Sequence, residues 1–344
     1  MSVEDDRNTV SRRGLPVLVL ANLVAIVGIA SACRKDGDRR EETLRLGYFP
    51  NLTHAQAVLG VSSGEMAEAV RPRRLDTKIF SAGPSLTEAL FAGEIDIGYV
   101  GPGPALNAHS KSKGRGIRVI AGGAANGVII VARPESSIRS MADLAGKKIA
   151  TPQLGNTQDL SARHYLMSVL KQTDTRNVVP VPNAEQAGML ARGDVDAAWV
   201  PEPWGQRLVL ETGARIIAEE KDLPELWPTQ ELAVSVVVTT PEFGEKHPDV
   251  VDRVIAVHRS WTKRLTEAPA AHEAALGDAL AKLSGKRLPD GALRPALSRV
   301  KFIDEPPEVT LRTYAAWTHE LGFDRSVVNL AGLVDRSALR RTAP

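Results

Sequence analysis

The chain has 344 residues, room for two medium-sized domains, and a hydrophobic fraction of 43% that allows cores to form without covalent staples. Lys and Arg number 43 against 41 Asp and Glu, and no basic stripe is interleaved with aromatics, so nothing asks for a nucleic-acid partner. The single cysteine excludes a disulfide framework and any cysteine-rich metal motif.

Residues 1–33 read as an export signal. Ser11-Arg12-Arg13-Gly14-Leu15 is a twin-arginine start, and the apolar run from Leu15 ends in Ala30-Ser31-Ala32-Cys33. This resembles a bacterial lipoprotein signal, in which the Cys33 thiol is lipidated and becomes the mature N-terminus. A retained transmembrane anchor is the alternative, and the run is near the lower limit for spanning a bilayer. Both the twin-arginine and the general secretion routes fit. Residues 34–43 form a charged linker. The remainder is expected in the periplasm or on the outer face of the cell membrane, tethered through Cys33.

From Thr43 onward strand and helix alternate. Leu44 to Phe49 is a strand ending at Pro50, and Thr53 opens a helix carrying Ala55, Val58 and Leu59. Lys78-Ile79-Phe80, Ile95 to Val100 and Arg118 to Ala121 are strands with a helix from Ser85 to Phe91 among them, giving a βαβαβ lobe on a parallel sheet. Val128 to Ala132, followed by Arg133-Pro134, is expected to cross to a second lobe. That lobe repeats the plan: strands at 148–151, 178–181, 195–200 and 215–218, and helices from Thr157 to about Lys171 and from Ala184 to Arg192. The β-branched stretch Val234 to Thr239 is read as the return crossing. His247 to about Gly322 is mostly helical, broken near Pro269, Pro289 and Pro306. The expected architecture is α/β, with lobe 1 discontinuous over 44–131 and 240–344, lobe 2 over 132–239, and hinges near Ala132 and Thr239.

One unit is written twice. Ala92-Gly93-Glu94-Ile95-Asp96-Ile97-Gly98-Tyr99-Val100-Gly101-Pro102 and Arg192-Gly193-Asp194-Val195-Asp196-Ala197-Ala198-Trp199-Val200-Pro201 each end a helix at glycine and carry one acid into a short strand. Both stop at an aromatic-Val pair before Pro/Gly-rich backbone. Ligands of open α/β sheets bind where strand ends meet loops, so two such exits suggest two units facing one cleft. Four exits carry small polar groups and open helices: Asn51-Leu52-Thr53-His54, Gly83-Pro84-Ser85, Gly101 to Pro104 and Gly155-Asn156-Thr157-Gln158. Helix starts present unpaired N–H groups and partial positive charge, so converging starts can hold an anion without a buried Lys or Arg. Simple helix capping by Thr53, Ser85 and Thr157 is the alternative for each one singly. Trp204 and Tyr99 would wall an organic tail, or belong to the core. Glu202 would pair with the cation of a zwitterionic ligand or act as a residue locking the lobes.

The stretches Gly47 to Ala55, Gly83-Pro84-Ser85 with Glu88-Ala89-Leu90, Gly93 to Gly101, Ala150 to Gln158 and Trp199 to Trp204 resemble the nitrate/sulfonate/taurine class of ABC-transporter substrate-binding proteins. The resemblance implies a type II periplasmic-binding-protein fold whose two lobes close on a small molecule. It also implies a monomer that delivers its ligand to a membrane permease driven by an ATPase subunit. Carried over by position, Asn51, Thr53, Ser85, Gly101, Asn156, Thr157, Glu202 and Trp204 would line the cleft. The implied ligand is a small organic anion, an aliphatic sulfonate or taurine, with nitrate, bicarbonate or a thiamine-pyrimidine precursor as alternatives. A tethered ligand sensor would use the same cleft.

No enzyme is expected and no catalytic residue, metal or cofactor is assigned. The iron motif of the thiamine-pyrimidine synthases of this superfold needs cysteines that the chain lacks. Gly60-Val61-Ser62-Ser63-Gly64 follows a helical segment, where a hydrolase nucleophile requires a strand. His54, His109, His164 and His258 show no ligand spacing, and there is no Gly-x-x-x-x-Gly-Lys-Ser/Thr loop for ATP.

Overall fold

A computed structural model describes residues 42–227 and 231–343. The export signal, Cys33 and nearly all of the linker lie outside the described residues.

The chain begins with β1 (Thr43–Tyr48), α1 (Ala55–Ser62), β2 (Arg74–Ile79), α2 (Gly83–Phe91), β3 (Ile97–Val100), α3 (Pro102–Lys111) and β4 (Arg118–Asn126). It continues with β5 (Val128–Ala132), β6 (Ile149–Thr151), α4 (Thr157–His164), β7 (Val178–Pro180), α5 (Asn183–Arg192), β8 (Ala197–Pro201), α6 (Trp204–Thr212) and β9 (Arg215–Glu219). It closes with β10 (Ala233–Thr239), α7 (Pro248–Glu267), α8 (Glu273–Ser284), α9 (Leu293–Arg299), β11 (Val300–Phe302) and α10 (Glu308–Glu320). Short helical turns fill several of the connections.

These strands make two sheets, a six-stranded one in the order β11-β4-β10-β3-β1-β2 and a five-stranded one in the order β7-β6-β8-β5-β9. Both are mixed, where a parallel sheet was expected. In the first, β1 and β3 are parallel and β10 runs antiparallel to β3 and β4. In the second, β6 is parallel to β7 and β8, while β5 is antiparallel to β8 and β9.

The antiparallel strands correct the expected lobe boundaries. Val128–Ala132 pairs Ile130 with Trp199 and Ala218, so it is a central strand of the second sheet. Ala233–Thr239 pairs Val237 with Tyr99 and Ala121, so it is central in the first. The chain passes between sheets at Asn126-Gly127 and again between β9 and β10, rather than at Ala132 and Thr239. Both strands are buried along their whole length. An unbroken apolar run is what a strand covered on both faces requires, and it reads the same as a buried crossing. The helix expected to reach Lys171 keeps α geometry to His164 and widens into a π turn over Tyr165–Val169.

The repeated unit is structurally duplicated. Gly93 and Gly193 both take positive φ, 64° and 74°, closing α2 and α5. The next amide returns to the last turn, Glu94 N to Ala89 O at 2.8 Å and Asp194 N to Met189 O at 2.9 Å. Asp96 accepts the Arg45 N–H and donates its own N–H to the Arg45 carbonyl, both at 2.8 Å. Asp196 repeats this with Lys148, at 3.1 and 2.8 Å. Each acid thus clips its strand to the parallel neighbour, which fixes where the two strands end and hence where the two exits sit.

Candidate functional site

The exits of β1, β3, β6 and β8 converge on one cavity between the two sheets. Asn51, Thr53 and His54 reach it from the turn after β1, Gly83 from the start of α2 and Gly101 from the start of α3. Pro152, Asn156, Thr157 and Gln158 reach it from the loop and first turn after β6, and Pro201 from the end of β8. Water centres can occupy about 30 Å³ of it, enough for one or two waters, so the cleft stands closed.

Bonds across the cleft hold it closed. Trp204 donates its indole N–H to Asn51 Oδ1 at 2.7 Å, and Leu52 N–H donates to the Glu202 carbonyl at 3.1 Å. Gly103 N–H donates to Thr157 Oγ1 at 3.3 Å. This approach depends on Gly101, where a Cβ would stand 2.2 Å from Thr157 Oγ1. The start of α4 therefore sits against the start of α3 because no side chain intervenes.

Five of the eight residues expected in the cleft line it: Asn51, Thr53, Gly101, Asn156 and Thr157. None of the three hydroxyls suspected of simple capping accepts a bond from its own helix. Asn156 is the cap of α4, accepting the Asp159 N–H at 2.8 Å, which leaves Thr157 free to face α3. The cap of the turn that carries Thr53 is Asn51, which makes no side-chain cap bond and instead accepts from Trp204. Ser85 instead donates to the Ala82 carbonyl at 3.0 Å and does not line the cavity.

Glu202 and Trp204 also lie outside the lining. Trp204 packs with Ile129, Val200 and Leu208 in the core of the second sheet and presents only its N–H to Asn51. Glu202 is fully buried, and both its oxygens accept: Oε2 from Gln206 N–H at 2.9 Å, Oε1 from the Arg299 guanidinium at 2.8 Å. Burial pushes its carboxyl up, opposed by those two donors. Arg299 ends α9 beside β11 of the first sheet and also reaches Glu219 at 3.3 Å. Glu202 therefore belongs to a bridge between the two halves. Tyr99 is core too, fully buried and bonded through its hydroxyl to His258 Nδ1 at 2.9 Å.

The structure adds His54 and Gln158 to the site. His54 Nδ1 accepts the Phe49 N–H at 3.1 Å, so the remaining proton of the neutral ring is on Nε2. Burial pushes its pKa down to about 3. Thr53 and Gln158 are 2% and 6% exposed and line the cavity, and among the described residues their side chains have no hydrogen-bond partner. Both histidine and glutamine stood inside stretches already singled out, but nothing local distinguishes a cavity-facing polar side chain from a surface one.

Among the described residues no cluster of His, Cys, Asp or Glu has the arrangement of a metal site. No described helix is long and apolar enough to cross a membrane.

Two mixed α/β sheets with a closed cleft between them at their strand exits define a type II periplasmic-binding-protein fold. The chain belongs to the NMT1-like family, whose model matches residues 37–277. A protein of Escherichia coli (strain K12) named as aliphatic sulfonates-binding is 25% identical over 304 residues, 87% of this chain and 86% of that one. The taurine-binding periplasmic protein of the same organism is 30% identical over 183 residues, 52% of this chain and 53% of its own length. Among solved structures, the alkanesulfonate-binding protein SsuA from Xanthomonas axonopodis pv. citri bound to MOPS superposes with a TM-score of 0.69. It is 23% identical, and the match covers 86% of this chain and 99% of that one.

Proposed function

We propose that this chain is the extracytoplasmic substrate-binding protein of an ABC importer, capturing a small organic anion, an aliphatic sulfonate or taurine, and delivering it to a membrane permease and its ATPase. The observation that carries this reading is the cavity between the sheets. Three helix starts meet there beside buried polar side chains that the protein itself leaves unpaired. A sulfonate spreads one negative charge over three oxygens, which suits several neutral donors better than one cation. The relatives named for sulfonates and taurine support the same ligand class.

Closure follows from differential contact. A ligand seated against Thr53, His54 and the α2 start gains the donors of α4 only when the halves meet, and this added affinity shifts the population toward the closed form. The two passages between sheets, at Asn126-Gly127 and between β9 and β10, are the hinges of that motion. The chain acts as a binder and carries out no reaction, and Cys33 anchors it by lipid to the outer face of the membrane.

Calorimetric titration of the purified chain with short alkanesulfonates and taurine tests the reading. Saturable binding is expected, and Thr157→Val, which removes the hydroxyl and keeps the shape, should weaken it by roughly 1–3 kcal/mol. Full affinity in a folded Thr157→Val protein removes Thr157 from the site, and no binding of any anion removes the reading.

A further inference from the structure

Among the described residues that line the cavity there is no Asp, Glu, Lys or Arg. The charged side chains next to the lining in sequence are already committed. Glu202, beside Pro201, is held by Arg299 and the Gln206 N–H. Asp159, beside Gln158, is fully buried and accepts from Thr151 Oγ1 at 3.0 Å and from Gly155 N–H and Arg163 Nε at 2.9 Å. Arg163 in turn spends its other nitrogens on the carbonyls of Thr175 and Val178, both at 2.8 Å.

What the cavity offers is neutral. Thr53, Gln158 and His54 are at least nine-tenths buried, and among the described residues Thr53 Oγ1, the Gln158 amide and the His54 Nε2–H have no hydrogen-bond partner. The first turns of α2 and α4 also line the cavity, whereas α3, with Pro102, Pro104 and a Gly103 N–H already given to Thr157, adds no free donor. Neutral donors satisfy a delocalised anion well. They do little for an ammonium, a compact and strongly hydrated charge that needs a carboxylate once taken out of water. The same helix starts that attract the anion repel the cation.

Resting on the importer reading above, we infer that the cavity selects anions that carry no ammonium group: plain short alkanesulfonates rather than taurine and other aminosulfonates. Propane-1-sulfonate and taurine test this, because they have the same chain length and head group and differ at the terminal position, methyl in one and ammonium in the other. Titrated calorimetrically into the full purified chain at neutral pH, propane-1-sulfonate is expected to bind at least about 30-fold more tightly. Taurine of equal or greater affinity overturns the inference and leaves the importer reading standing, as does binding of nitrate or bicarbonate with neither sulfonate. Heat from none of these anions overturns the anion site and the inference with it.

Discussion

Glu220 follows β9 on the return passage between the sheets, 1% exposed, and among the described residues neither carboxyl oxygen has a well-aligned hydrogen-bond partner. The side chains of Ser161, Trp199 and Tyr314 surround it, and Ser161 is already bonded to the Tyr314 hydroxyl at 2.9 Å. Burial therefore dominates and pushes the carboxyl from 4.5 up to about 7, with Ser161 and Trp199 pulling weakly the other way. The folded pKa exceeds the unfolded one, so the native state binds the extra proton. Its contribution to stability is fully present below pH 4.5 and is lost as pH rises through about 7. A rise of about 2.5 units at 1.36 kcal/mol each amounts to roughly 3 kcal/mol. Glu220→Gln keeps the shape and stays neutral at every pH. Urea unfolding of both proteins at about pH 5 and about pH 8.5 should show the variant gaining roughly 2.5 kcal/mol on the wild type between the two conditions, the rest being lost already by about pH 5. The same pH dependence in both proteins would mean that Glu220 is solvated or paired, and the reasoning fails.

The duplicated acids should differ in weight. Asp96, 6% exposed, holds the Arg45 backbone and guanidinium together, so Asp96→Asn should cost about 2–4 kcal/mol in chemical unfolding. The Asp196 side chain is 27% exposed, with Arg133 at 3.5 Å, and Asp196→Asn should cost under about 1 kcal/mol. Equal costs would show that burial does not decide. Gly101→Ala places a methyl against Thr157 and should weaken anion binding at least about tenfold while costing about 1–3 kcal/mol of stability. Unchanged affinity would mean that closure does not need that approach. Burial also holds His54 down to about 3 and His258 to about 4, so the unfolded chain takes up their protons first. Stability from these rings is complete above pH 6.5 and falls by about 1.4 kcal/mol per group for each unit below it. Glu220 acts oppositely over the same range, so the fall should be steeper in Glu220→Gln, read from urea midpoints between about pH 6.5 and 5. A shallower slope in the variant would contradict the Glu220 assignment, and no fall in either protein would contradict the histidine one.

Much of this site was legible because its signals are local. The glycine that closes a helix, the acid three residues on and the Pro/Gly-rich exit lie within a dozen residues, and the second copy confirmed the first. Such exits, together with the family resemblance, point to Asn51, Thr53, Gly101, Asn156 and Thr157, and also to Ser85, which lies outside the cavity lining. The strand memberships of β5 and β10 were not legible, because period-two alternation vanishes when both faces are buried and only the pairing partner tells which sheet a strand joins. Partnership was equally hidden at Glu202, whose cation lies 97 residues on, at the end of a helix with no distinguishing pattern. The same holds for Tyr99 and His258, which are 159 residues apart. These long-range pairs bear on function as well as on packing. With Arg299 in place Glu202 is part of a bridge between the halves, and the cavity has no carboxylate to offer. On the proposed reading, Arg299, distant from the cleft motifs in sequence and absent from the described cavity wall, is what keeps that carboxylate from the ligand.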